Sequence, residues 1–221
     1  MDAISLSRLQ IWRSRLLKQL NLLHTPQMVA AATKLEPKSR LTATHWEQAA
    51  LEAIAESGLA AVAVESLARR LGVTKGSFYW HFATREALLT AALERWERGD
   101  EGVVMTQVED IADPRERLRE LFHRVSREMP SHMIYAALMQ SLDHPIVKPV
   151  MMRVSQRRID VLAQAYREAG LDPATATHRA RLAYSAYTGF LQLSRQMGLP
   201  RLHHDEFEAY VNHVIATLVP A

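Results

Sequence analysis

The sequence predicts an all-α fold, with a small helix-turn-helix head ahead of a larger helical domain. Three observations carry the prediction. Apolar residues recur at helical spacing along most of the 221-residue chain, which is 48% apolar and holds only eight glycines, and strand-like alternation is scarce. Asp-Pro, His-Pro and Gly breakers cut these stretches into helix-length pieces. One stretch, Leu71 to Phe82, has the form of a tight turn between two short helices.

Residues 41–98 form the predicted head. Thr44 followed by Glu47 reads as a capping box opening a first helix with the apolar face Trp46, Ala49, Ala50, Ala53 and Ile54, and Ser57-Gly58 closes it. Leu67, Ala68 and Leu71 give a second, short helix one apolar face. Gly72 follows where the chain must turn through a positive φ, and Val73 plugs the angle between the helices. Thr74 is placed to cap a third helix, with Lys75, Gly76, Ser77, Tyr79, Trp80 and His81 on or beside it. Lys and His bring charge or donors to phosphates, Ser and Tyr bring hydroxyls, and Gly76 permits close backbone approach, so DNA is the leading candidate partner. His81 has a second reading, with its ring packed against the head beside Phe82. Thr84 caps a longer fourth helix, with Glu86 near its N-terminal dipole and Leu88, Leu89, Ala92, Leu93 and Trp96 on the inner side.

The run from Trp46 to Trp96 resembles the N-terminal domain of the TetR family of bacterial transcriptional regulators. Its strongest match is Gly72-Val73-Thr74-x-Gly76-Ser77-Phe78-Tyr79-x-His81-Phe82, with Ala50, Glu56-x-Gly58 and Leu67-Ala68 at family spacings. The resemblance implies a sequence-specific regulator that binds double-stranded operator DNA through Thr74, Lys75, Gly76, Ser77, Tyr79, Trp80, His81 and Arg85. It further implies a cytoplasmic homodimeric repressor released by a small-molecule effector, with no cofactor. Two positions depart from the family pattern. Ala63 stands where a Ser or Thr usually caps the second helix, a loss of about 1 kcal/mol and one phosphate-facing hydroxyl. Arg85 stands where a Lys is usual, keeping the charge and adding a fork suited to phosphate. Two alternatives share these features: a constitutive or DNA-organising regulator without a ligand, and a helical protein that does not bind DNA.

Charge is unevenly distributed. Residues 1–40 carry seven Lys/Arg against two acids, residues 41–98 six against seven, and residues 99–221 fourteen against fifteen. A near-neutral head favours a few placed contacts over polycation binding. The chain has no cysteine, which excludes disulfides and cysteine-metal sites and fits the cytoplasm, and no apolar run long enough to span a membrane.

Residues 1–40 form an extension in which Leu6, Leu9, Trp12, Leu16, Leu20 and Leu23 fall at helical spacing among Arg8, Arg13, Arg15 and Lys18. A basic amphipathic helix and a translation start at Met28, leaving a short polar arm, are the two readings. Glu36-Pro37-Lys38 marks the break before the head.

Residues 99–221 read as five helices. Asp113-Pro114 opens one that buries Leu118, Leu121, Phe122 and Val125 and closes at Met129-Pro130. The next spans about Ser131 to Leu142, and a third runs from His144-Pro145 to about Glu168. A fourth extends from Asp172-Pro173 to Met197-Gly198, and the last covers about Asp205 to Val219. With the head, this makes nine helices. By family analogy the last two form a dimer interface through Ala180, Ala183, Tyr187, Phe207, Tyr210, Val211 and Val214, packing closely because the first of them offers small residues. An effector, by the same analogy a small and mostly apolar molecule, would contact Met133, Tyr135, Met139, Met151, Met152, Tyr184 and Tyr187 among the middle helices, with ordinary core as their other reading. No metal site is read: His203, His204 and His213 form no i, i+4 pair. No catalytic constellation is read either. Ser126, Ser141 and Ser185 sit in no nucleophile elbow, and Glu116 and Glu120 match an exposed helical face.

Overall fold

The computed structural model describes residues 41–105, 110–127, 130–198 and 202–220, and the predicted N-terminal extension and Met129 lie outside them. Among the described residues there are nine α-helices and no strand. In chain order they are α1 (Ala43–Ser57), α2 (Val64–Leu71), α3 (Lys75–Phe78), α4 (Arg85–Met105), α5 (Pro114–Ser126), α6 (Pro130–Leu138), α7 (Val147–Glu168), α8 (Pro173–Gln192) and α9 (His204–Leu218). Short 3₁₀ turns at Leu59–Ala61 and Met139–Ser141 follow α1 and α6, and a π-helical turn at Leu193–Met197 extends α8.

Local chemistry sets most boundaries. Asp113 and Asp172 each accept from backbone N–H groups of the turn they open, with Pro in the first helical turn where no amide donor is needed. Gly72 ends α2 in the left-handed region at φ 68°, its N–H returning to the carbonyls of Ala68 and Arg69. The first helix begins earlier than its sequence suggests. Its N-cap is Thr42, not Thr44, and His45 at the third helical position answers it, with Nδ1 accepting from the Thr42 N–H at 3.1 Å. Glu47 lies inside the helix instead and pairs with Arg95. Helix α6 stops at Leu138, short of the predicted Leu142, because the chain tightens into its 3₁₀ turn.

The head and the body share one core. Trp46, Leu51, Ile54, Leu67, Phe78, Leu88, Leu89 and Leu93 are all essentially inaccessible, and the cluster runs on without interruption into Ile134, Leu138, Val147, Val150 and Val154. Helix α1 packs against both α4 and α6, and α4 passes through the expected boundary at residue 98 to enter the body. A second cluster, around Leu118, Tyr166, Ala176, Ala180, Val211 and Ile215, joins α5, α7, α8 and α9.

Candidate nucleic-acid interface

The recognition turn is fixed from beneath. Phe78 is fully buried, its ring edge-on to Trp46 of α1 at 5.3 Å and tilted against Phe82 at 5.9 Å. Val73 is half-buried, less than a full plug, and its N–H bonds the Ala68 carbonyl at 3.0 Å. These contacts hold the one-turn helix α3 against α2 and leave its outer side free.

That outer side carries most of the predicted contacts. Tyr79 is 57% and Trp80 88% exposed. Thr74, Lys75 and Gly76 are exposed, while Ser77 and His81 are half-buried. Thr74 occupies the N-cap position, but its hydroxyl makes no capping bond and so stays available. A Cβ on Gly76 would meet only the Thr74 hydroxyl, at an ordinary 3.7 Å, so packing within the chain does not demand glycine there. Close approach of another molecule does supply such a demand.

Two of the predicted contacts have partners inside the chain. The Lys75 ammonium pairs with Glu65 of α2, which the sequence reading did not single out. The hydrogen bond between them raises the lysine pKa and lowers that of the carboxyl. Arg85 donates from Nε to the Val62 carbonyl at 2.6 Å and from Nη2 to that of Leu59 at 3.3 Å. Its fork therefore binds the loop between α1 and α2, where Ala63 supplies no cap. Only Nη1 points elsewhere, toward Glu86.

In the body, the predicted effector residues divide. Tyr135, Tyr184 and Tyr187 lie around one polar cluster, whereas the Met133 sulfur meets Arg195 and Met152 is 63% exposed on α7. Met151 and Met139 pack in the shared core. The cluster itself was missed. Arg158 of α7 grips Asp100 of α4 through Nε and Nη2, at 3.1 and 2.6 Å. Ser131 donates to Asp100 at 2.9 Å and accepts from Trp96 Nε1 at 3.0 Å. The Arg158 guanidinium also lies 4.7 Å from the Tyr135 ring centre. One turn earlier on α4, Glu97 receives Arg153 and Arg157. Burial, reinforced by Arg158, pushes His132 down to about 4, and burial raises the Tyr187 hydroxyl. A signal existed in the sequence: Asp100 and Glu97 continue the inner stripe of Leu93 and Trp96, and Arg158 continues that of Val150 and Val154.

The predicted dimer residues also divide. Ala180, Ala183 and Val211 are buried within the single chain, because α8 lies against α7 and α9 closes over the second cluster. Phe207, Tyr210, Val214 and Tyr187 are half-buried. The large apolar side chains left exposed at this end are Leu182, Leu193 and Met197, beside Phe190, which stacks on Tyr210 at 5.0 Å.

The sequence profile described as "Bacterial regulatory proteins, tetR family" matches residues 48–92, the segment from α1 to α4 that builds and supports this turn. That segment is similar to the N-terminal domain of the TetR family. Among curated TetR-like relatives, the transcriptional regulator AcrR of Shigella flexneri is 26% identical over 117 residues, which are 51% of this chain and 53% of AcrR. The match thus spans about half the length of that relative. Solved structures agree in fold over a longer stretch. A transcriptional regulator of Saccharomonospora viridis in complex with choline has a TM-score of 0.68 at 18% identity, covering 79% of this chain and 95% of its own. AibR in complex with isovaleryl coenzyme A and operator DNA has a TM-score of 0.60 at 19% identity, covering 80% and 98%. Among the described residues, no three His, Asp or Glu side chains gather as a metal site, and no helix is long and apolar enough to cross a membrane.

Proposed function

We propose that this protein is a sequence-specific, DNA-binding transcriptional regulator, a cytoplasmic repressor that holds operator DNA as a homodimer and lets go when a small-molecule effector occupies the body. Its work is binding, not catalysis. The observation that carries the reading is the recognition turn: a buried Phe78 anchors it, and Thr74, Lys75, Gly76, Tyr79 and Trp80 project outward. Ser77 and His81 flank them, and Arg85 ties the start of α4 to the loop between α1 and α2.

Pairing of two copies fits this reading, since successive major-groove faces lie about 34 Å apart and one α3 reaches only one. Leu182, Leu193 and Met197, with Phe190, Phe207 and Tyr210 at their side, supply the apolar surface for pairing. Release by an effector is supported by the shared core, because α1 rests on α6 of the body and α4 runs from the head into it. Selecting bound fragments from a genomic library tests the proposal. Recovery of one recurrent sequence, bound at least about a thousandfold above random DNA, is the expected result. Binding that never exceeds the random level overturns it.

A further inference from the structure

A buried hydroxyl and a buried cation meet at one place in the body with hydrogen-bonding capacity left over. Asp100 engages Nε and Nη2 of Arg158, and Nη1 has no carboxylate partner. The Tyr187 hydroxyl is buried beside the same guanidinium and makes no hydrogen bond of normal geometry. The surrounding side chains do not supply what is missing. Tyr135, Tyr184 and Ser155 bond among themselves, with the two hydroxyls 2.6 Å apart and Ser155 at 3.2 and 3.0 Å from them. His132 meets Tyr187 in a T-shaped ring contact with centres 5.3 Å apart. A site with an unfilled buried hydroxyl beside a cation favours a ligand that brings acceptors and negative charge. The rings of Tyr135, Tyr184 and Tyr187 pack against one another around the cation, so its surroundings are aromatic.

We infer that the effector is a small organic anion, a carboxylate on an apolar or aromatic body, held by Arg158 and the Tyr187 hydroxyl in competition with Asp100. This inference rests on the ligand-responsive reading above and names the ligand class and the route of its effect. An arriving carboxylate faces Asp100 across one guanidinium, and two carboxylates cannot share that cation at no cost. Asp100 lies on α4, the helix that carries the head. The repulsion is relieved when α4 shifts away from α7, and a shift of α4 moves the recognition turn. Ligand and operator then oppose each other by the same factor in both directions.

The test measures binding of benzoate, phenylacetate and phenylbutyrate to the full chain by calorimetry, each acid beside its amide and its amine. At least one acid is expected to bind about tenfold or more tightly than its amide and its amine. D100N removes the competing charge and is expected to tighten acid binding, a direction that structural damage does not produce. Y187F deletes a hydroxyl that makes no hydrogen bond of normal geometry in the free protein, so the variant changes little in melting temperature while acid affinity falls severalfold. Equal affinity for acid and amide, weaker acid binding by D100N, or no binding of any acid at about 10 mM overturns the inference. Operator titrations run in parallel separate the two readings. If the acids bind but operator affinity is unchanged, the anion site stands and both the α4 route and the release mechanism fall; if only neutral or cationic compounds release operator, release stands and the anion site falls.

Discussion

Lys75 and Glu65 are paired in the DNA-free protein, the first residue of α3 against the first turn of α2, with both side chains more than half exposed. A phosphate must compete with that carboxylate for the ammonium. Replacing Lys75 by Ala is expected to weaken binding to all DNA sequences and to lower the slope of log K against log salt by about one. E65Q should act in the opposite sense, raising affinity for specific and random DNA alike. Fluorescence titration over a range of salt concentrations checks both. An unchanged slope in the Lys75 variant would remove this residue from the contact set.

Arg85 is expected to behave differently despite its charge. Its Nε and Nη2 hold the Val62 and Leu59 carbonyls, so R85A should lower head stability by about 1.5–3 kcal/mol, the range for hydrogen bonds to a charged group. R85K should recover little, because an ammonium cannot span two carbonyls as a planar fork does. Thermal melting of the three proteins decides it. A variant with the parent's melting curve and a reduced salt slope would instead make Arg85 a phosphate contact.

The surface at Leu182 and Leu193 gives a test of pairing that separates interface from core. Arg at either position should yield folded monomers, since an unpaired charge in a tight interface costs several kcal/mol. Arg at Ala180 should unfold the chain itself, because that side chain is inaccessible within one copy. Sedimentation with circular dichroism distinguishes the outcomes. Identical mass for the parent and the folded Leu182 variant would place the interface elsewhere.

His132 makes stability depend on pH. Its ordinary value of 6.5 falls to about 4 in the folded chain, through burial first and the neighbouring Arg158 second. The unfolded chain therefore binds the extra proton between these values. Stability is fully present above pH 6.5 and is lost as pH falls toward 4, by up to about 3 kcal/mol. H132Q should flatten this part of the curve. Chemical denaturation at a series of pH values reads the slope, and an equally steep fall in the variant would assign it to other groups.

What the sequence makes legible is local. Gly72, Asp113 and Asp172 fix their helix ends with atoms a few residues away, so the head's motif and most helix boundaries follow from short-range chemistry. Thr42 and Thr44 illustrate the limit. Both can cap, and the choice falls to His45, an unusual partner at the third helical position. Facing is harder still. Helix α8 has small residues on one side and Leu182 and Leu193 on another, and only its seating against α7 shows that Ala180 and Ala183 point inward. The Asp100–Arg158 pair joins residues 58 apart in the chain, and no short-range rule brings them together. Acids within an apolar stripe are the trace they leave.

The uninterrupted core from Trp46 to Val154 bears on how such proteins are recombined. Ile134 and Leu138 of α6 complete the hydrophobic floor under α1, so the head is not a cassette that lifts off at residue 98. A chimera that grafts residues 41–98 onto another body inherits a foreign α6 beneath α1. Its success depends on side-chain volumes at positions 134 and 138 as much as on the junction itself. Transplanting α6 with the head, or matching those two side chains, is the economical way to give a new body this recognition turn.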